Sequence, residues 1–156
     1  MKAESTNQKT FELTDGSEKL GELSYDNLFS FNALIITAKE GNYELKPTGV
    51  FSSEISVTKN GEKVAILKMN WKGHVIMSFQ NGEEFILKST RVFFNKYVVE
   101  NKDQQQLLLL DPNFNWSKFN YNYTISYDTK PQNILLVLLA IYAANYFIAS
   151  MTTHIA

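Results

Sequence analysis

From Lys9 to Tyr127 the chain runs in short apolar or alternating stretches broken by polar turn residues. The stretches read KTFELT, KLGELSY, NALIITAK, NYELKP, SEISVTK, EKVAILKM, HVIMSFQ, EEFILK, KYVVEN, QLLLL and FNYNYTISY. Each has the length and two-residue period of a strand with one buried face, so the pattern predicts ten to twelve strands. Asn60-Gly61 and Asn81-Gly82 tolerate positive φ at both central positions of a type I′ turn, whose twist suits a hairpin. Asp15-Gly16, Glu40-Gly41 and Lys72-Gly73 stand at similar junctions. Connections this tight make neighbouring strands antiparallel, because a parallel return needs a dozen residues or more.

After Asn133 the alternation gives way to ILLVLLAIYAANYFIASM, Ile134 to Met151. Its clearly polar members are Asn145 and Ser150, with Tyr142 and Tyr146 largely apolar. As a helix this stretch is about 27 Å long, close to the thickness of a bilayer core. Pro131 suits the first helical turn. Two readings compete: a membrane anchor at the end of a β-rich head, or a helix that is apolar all round because protein surrounds it. Strand number separates them. Twelve strands spaced about 4.8 Å apart and tilted about 40° close into a barrel roughly 24 Å across, wide enough for one helix. Eight strands would give roughly 16 Å and fill with their own side chains. The flanking charges, Lys118, Lys130 and Asp128, give an anchor little support. An Ala140 and Ala144 pair at helix-packing spacing serves either reading. The expectation is therefore one domain over residues 1–156, a mainly β closed antiparallel barrel of about twelve strands around a central helix at 131–152. The stripe of Tyr142, Asn145, Tyr146 and Ser150 should find its partners at one barrel end.

Composition narrows the functional classes. The 156 residues are one domain's worth, and 15 basic against 16 acidic side chains leave a net charge of −1 without long runs of one sign. A dedicated nucleic-acid binder normally carries a basic face strong enough to move that total. The absence of cysteine removes disulfides, thiolate metal sites and cysteine nucleophiles. The opening MKAESTNQKTFELTDGSEKL lacks the apolar stretch of a signal peptide. A weak internal repeat aligns FNALIITAKEGNYEL from Phe31 with FSSEISVTKNGEKVA from Phe51, and in outline with FFNKYVVENKDQQQL from Phe93. Duplication and reuse of hairpin chemistry both account for it.

Candidate chemistry is sparse. His74 and His154 have no partner at metal-ligand spacing, and no nucleophile elbow, phosphate loop or dinucleotide-binding glycine pattern occurs. Glu83 and Glu84 flank a turn and point to opposite faces, which suits a solvated turn rather than an acid–base pair. Tyr121, Tyr123, Ile125 and Tyr127 share one strand face and read as core or as a girdle at a barrel end, with stacking on a ligand as the alternative. Trp71 and Trp116 read as plugs packed into loops, with exposed indoles at a membrane interface as the alternative. Lys59, Lys63, Lys68, Lys72, Lys88, Arg91 and Lys96 crowd the middle of the chain, interleaved with Glu54, Glu62, Glu83, Glu84 and Glu100. If the barrel binds lipid, Lys68, Lys72, Lys88 and Arg91 are the candidates for anionic head groups.

The run GVFSSEISVTKNGEKVAILKMNWKGHVIMSF, then FILKSTRVFFNKYVVENKDQQQLLLL, then one terminal apolar helix, resembles the tubby C-terminal-like superfamily, with most likeness to LURP-one-related proteins and phospholipid scramblases. The likeness spans about Phe11 to Met151 and lies in hairpin pattern and spacing. It implies a twelve-stranded closed barrel around a central hydrophobic helix. Tubby domains bind phosphoinositide head groups through basic surface side chains, but their site has no residue-by-residue match here. The acylated cysteine-rich stretch of scramblases has no counterpart in a cysteine-free chain, and DTKPQN, with Asp128 alone, offers no acidic calcium loop. The resulting expectation is a non-catalytic binding or scaffold module, cytoplasmic or peripheral to a membrane and monomeric. Anionic phospholipid or a protein would be its partner; nucleic acid, metal and cofactor are not expected. A tail-anchored protein and a small-ligand carrier with a pocket at a barrel end are the alternatives.

Overall fold

The computed structural model describes residues 1–28, 30–48, 54–90 and 95–153, with side chains described as far as Met151. Its strands are β1 (Lys2–Ser5), β2 (Thr10–Asp15), β3 (Glu18–Tyr25), β4 (Ala33–Thr37), β5 (Asn42–Thr48) and β6 (Glu54–Lys59). They continue with β7 (Glu62–Met69), β8 (Val75–Phe79), β9 (Glu84–Thr90), β10 (Lys96–Asn101), β11 (Gln106–Asn115) and β12 (Asn120–Ser126), followed by helix α1 (Ile134–Thr153). Each strand pairs antiparallel with its sequence neighbours, and β1 pairs with β12 to close the barrel. The eleven stretches read from the sequence are β2 to β12. The twelfth strand, β1, escaped because KAES offers the interior only Ala3 and Ser5. Those two residues nevertheless seal the seam: Ala3 stands opposite Leu13 on one side and Tyr123 on the other.

Alternation sends Leu13, Leu23, Ile35, Leu45, Val57, Leu67, Met77, Leu87, Val99, Leu110 and Ile125 inward, all buried. They enclose α1, of which Leu135 to Ala144 are buried without interruption while Asn145 to Ser150 are half-buried as the helix leaves the barrel. The helix is long and apolar enough to cross a membrane, but the strands already cover its surface from Leu135 to Ala144. The helix packs tightly on the wall at Gly21, where a Cβ would lie 2.7 Å from the Ile36 carbonyl oxygen and 2.8 Å from Leu138 Cδ1. Only a residue without a side chain fits there.

Register shifts interrupt β2–β3, β6–β7 and β10–β11, between Leu13 and Thr14, Val57 and Thr58, and Val99 and Glu100. In each case the second strand carries an extra residue, Leu20, Val64 or Leu107. The bulges recur every four strands, tightening the twist at one end of the barrel. This places Val57 and Val99 in equivalent positions, as the sequence repeat has them, while the copy from Phe31 falls on β4–β5, which has no bulge. Phe51 and Phe93 lie outside the described residues. One turn departs from expectation: Asn60 and Gly61 both have positive φ, but at Asn81-Gly82 only the glycine does. There a four-residue loop replaces the type I′ turn, with Glu83 N donating to Asn81 Oδ1. Pro47 and Pro112 sit inside β5 and β11 at positions beyond the paired reach of β4 and β10, so neither removes a ladder bond from that side.

Candidate functional site

The two ends of the barrel differ in chemistry. At the end where α1 enters, the strands are joined by tight polar turns around Gly16, Gly41, Gly61 and Gly82. The helix start is fixed by hydrogen bonds from three successive amides. Ile134 N and Leu135 N donate to the two carboxylate oxygens of Glu40 at 3.0 and 3.1 Å, and Leu136 N donates to Asn133 Oδ1 at 3.1 Å. Asn133 is an ordinary N-cap; Glu40 comes from the β4–β5 turn and supplies the negative charge that the helix's own first turn lacks. Lys59 Nζ and Tyr43 OH donate to the Glu40 carbonyl, and Glu40 N donates to Thr37 Oγ1, so the turn is held in place before the helix meets it. Lys130, just before α1, pairs with Asp15 at 2.6 Å and holds that carboxyl below its usual range.

At the other end, where α1 leaves, Phe31 packs edge-on against Tyr146 at 4.9 Å and Tyr142 OH donates to the Phe31 carbonyl at 2.8 Å. Asn145 accepts from Tyr123 OH at 2.6 Å and donates to Tyr25 OH at 3.1 Å. Burial in this cluster raises the Tyr25, Tyr123 and Tyr142 phenols well above their ordinary value, so all three stay neutral. The polar stripe of the helix thus finds partners at the exit end, and the Ser150 hydroxyl also donates within the helix to the Tyr146 carbonyl. Tyr123 and Ile125 are core, as the sequence implied.

Among the described residues the exit rim also carries most of the exposed large apolar side chains. Trp71 in the β7–β8 connection is 89% exposed and Trp116 in the β11–β12 connection 76%; Phe119, Leu28 and Met151 are exposed beside them. Leu34 and Ile36, on the outer wall of β4, are the other fully wall-borne members of this class among the described residues, and Phe114 packs on Trp116 with centroids 4.8 Å apart. The reading of Trp71 and Trp116 as packed plugs is therefore overturned. The local reason is turn chemistry. Asn70 Oδ1 accepts from both Lys72 N and His74 N, and Gly73 takes positive φ, which leaves the Trp71 ring at the loop tip. Asn115 Oδ1 accepts from Ser117 N and Oγ in the same manner. Phe119 follows with φ of 49°, a left-handed conformation that costs a bulky residue about 1–3 kcal/mol. Among the described connecting residues at this rim Lys9, Lys72 and Lys118 face one acid, Asp26; at the entry rim Lys39, Lys102 and Lys130 face Glu40, Glu83, Asp103 and Asp128.

Three of the four lysine and arginine candidates, Lys68, Lys72 and Lys88, lie among the described residues. Lys68 lies on the outer wall of β7, paired with Glu54 at 2.9 Å, and Lys88 on β9 is paired with Glu100 at 2.9 Å. Lys72 is at the exit rim, its ammonium 5.4 Å from the Trp71 ring centroid. Arg91 lies outside the described residues, as does His154. Lys88 and Lys72 do converge on His74: desolvation first, then these two charges, hold its imidazole below the ordinary value, with Glu100 opposing. Glu83 is in a turn and Glu84 faces the outer wall beside Ser78, so the two are not an acid–base pair. Among the described residues no group of three acidic or histidine side chains is placed to hold a metal ion.

Phe119, Leu28 and Met151 were not singled out in the sequence, although a signal existed. Connections alternate between barrel ends, and most of those at one end carry bulky apolar residues, as in DNLFSF, NWKGH and WSKF, whereas those at the other are short and polar, several with Asn-Gly, Asp-Gly or Glu-Gly. No protein-family model, curated protein or solved structure matches the chain.

Proposed function

We propose that the protein is a non-catalytic binding module that docks on anionic phospholipid surfaces through the rim where α1 leaves the barrel. One observation carries this reading: among the described residues, exposed indole and phenyl rings, with lysines in the same connections, gather at one end of the barrel. Tryptophan suits the boundary between head groups and acyl chains because its ring is apolar and its N–H is polar. Each lysine near an anionic surface adds about 1 kcal/mol, so Lys9, Lys72 and Lys118 contribute together to an attraction that salt weakens. Lys68 and Lys88, each paired with a glutamate, take a lesser part. Membership of the tubby-like superfamily belongs to the same proposal, supported by the twelve-stranded barrel and its central helix. A tail anchor is disfavoured, because inserting α1 in a bilayer would empty the barrel.

Vesicle co-sedimentation tests the reading. The full chain should pellet with vesicles containing phosphatidylserine, less so at high salt, and weakly with phosphatidylcholine alone. Trp71→Ala combined with Trp116→Ala should weaken binding by about tenfold or more. Absence of binding to anionic vesicles at low salt, or full binding by the double variant, would overturn it.

A further inference from the structure

Beside the emerging half of α1 the barrel mouth holds a cavity of 420 Å³, within the range of roughly 300–1,000 Å³ common for small-molecule sites. Its walls are Phe11, Tyr25, Phe31, Tyr121, Ile148 and Ala149. The polar groups at its floor are already committed: the Asn145 amide is shared between Tyr123 and Tyr25, and no buried described side-chain polar atom lacks a partner. A polar ligand would find nothing there to replace its water, whereas an apolar one strands no protein group. The walls are also stiff. Tyr25 stacks on Tyr142 at 5.7 Å, Phe11 lies 6.3 Å from Tyr25 and Phe31 is wedged against Tyr142 and Tyr146, so the shape exists before any ligand arrives.

The mouth has a different character. It opens between the β1–β2 and β3–β4 connections, past Gln8, Asn27 and Asn120, where Asn120 Nδ2 donates to the Gln8 carbonyl. An adjoining recess is lined by Asn7, Gln8, Lys9, Asn27 and Leu28, which puts Lys9 beside the outer end of an apolar slot. We infer that the cavity binds one alkyl chain bearing an anionic head, with the chain against the aromatic walls and the head at Lys9. A fatty acid and a chain of an anionic membrane lipid share this chemistry. The inference does not rest on membrane docking: the slot would serve a soluble carrier as well as a rim pressed against a bilayer.

The test is titration of the full chain with cis-parinaric acid, a fluorescent fatty acid, in buffer without detergent. Saturable binding of one molecule per chain is expected. Ala149→Phe, which fills the slot from the helix, should weaken binding by about tenfold or more. Ser30→Phe, which narrows the mouth, should do the same and decides the matter if Ala149→Phe does not unfold cooperatively. Lys9→Glu should weaken the acid but not its methyl ester. No saturable binding, or unchanged affinity in the two filled variants, would overturn the inference. So would loss of the probe on Trp71→Ala with Trp116→Ala, since the probe would then sit on the rim surface. Vesicle binding by the filled variants should remain intact, so failure of docking and failure of the cavity read out separately. Uptake of a parinaroyl chain from phospholipid vesicles would identify a membrane lipid as the source; response to the free acid alone would identify a free amphiphile. Either supports the site.

Discussion

Glu40 is the residue on which the barrel and its core helix meet, and replacing it has a calculable cost. Its carboxylate receives two consecutive amides at the start of α1, Ile134 N at 3.0 Å and Leu135 N at 3.1 Å. A hydrogen bond to a charged acceptor contributes about 1.5–3 kcal/mol. Glu40 is half-buried and solvent reaches the β4–β5 turn, so the lower end of that range applies, and the two bonds overlap with the helix-dipole interaction rather than adding to it. Glu40→Ala should therefore cost about 2–3 kcal/mol. In a domain of this size that corresponds to roughly 4–12 °C in Tm. Glu40→Gln keeps the length and one acceptor oxygen but brings an NH₂ toward the second amide, and should cost about half as much. Asn133→Ala removes an N-cap alone and should cost about 1 kcal/mol. Urea unfolding followed by circular dichroism measures all three. Lys46→Ala serves as control, since its pair with Glu44 is mostly exposed and worth under about 1 kcal/mol. If Glu40→Ala matches the control, the charge on the helix start is not a stabilising element and the reasoning fails.

Gly21→Ala should destabilise by about 1–3 kcal/mol, because its Cβ would meet both a fixed carbonyl and Leu138; an unshifted midpoint in urea unfolding would refute the close approach. A chain ending after Asp128 should yield no cooperatively folded product, since the inward rows would line an empty barrel; a sharp thermal transition from that chain would contradict the packing. His74 should titrate below its ordinary value of 6.5 in an NMR pH series, and Lys88→Gln should move it upward. Because its folded value is depressed, the stability linked to His74 is complete above the unfolded value and is lost as pH falls through the folded one; an unchanged titration in the variant would remove Lys88 as a cause.

The strands legible in the sequence were those with an apolar residue at every second position. Ile55 and Val57, or Leu67 and Ala65, announce their shared face without help from the rest of the chain. β1 was illegible because Ala3 and Ser5 gain their burial only from β2 and β12, the latter more than a hundred residues away. Asn81-Gly82 misled for a related reason: the pair permits a type I′ turn, but the Asn81 side chain competes by accepting from Glu83 N and draws a longer loop. Helix α1 was found from its length and uniform apolarity, and its central place from the diameter that the strand count requires. Its Glu40 cap has no local signature, since the acceptor and the amides are 94 and 95 positions apart. At the candidate site, Lys68 and Lys88 looked available because their partners Glu54 and Glu100 face them across strand pairs rather than along the chain. Trp71 and Trp116 looked packed because a large apolar ring usually is; the side-chain acceptors Asn70 and Asn115 decide otherwise.

The seam between β1 and β12 shapes how such a chain comes into being. Every other strand pair is a hairpin of neighbours and can form as the chain leaves the ribosome, but the seam waits for Asn120–Ser126, and the filling of the barrel waits longer still, for Ile134 onward. During that interval the nascent sheet offers a concave, water-exposed row of leucines, isoleucines and valines with two open edges. The most hazardous interval for this fold therefore lies between the completion of β12 and the arrival of α1, and a chain stopped between Ser126 and Ile134 would be a client for chaperones and proteases rather than a weakened protein.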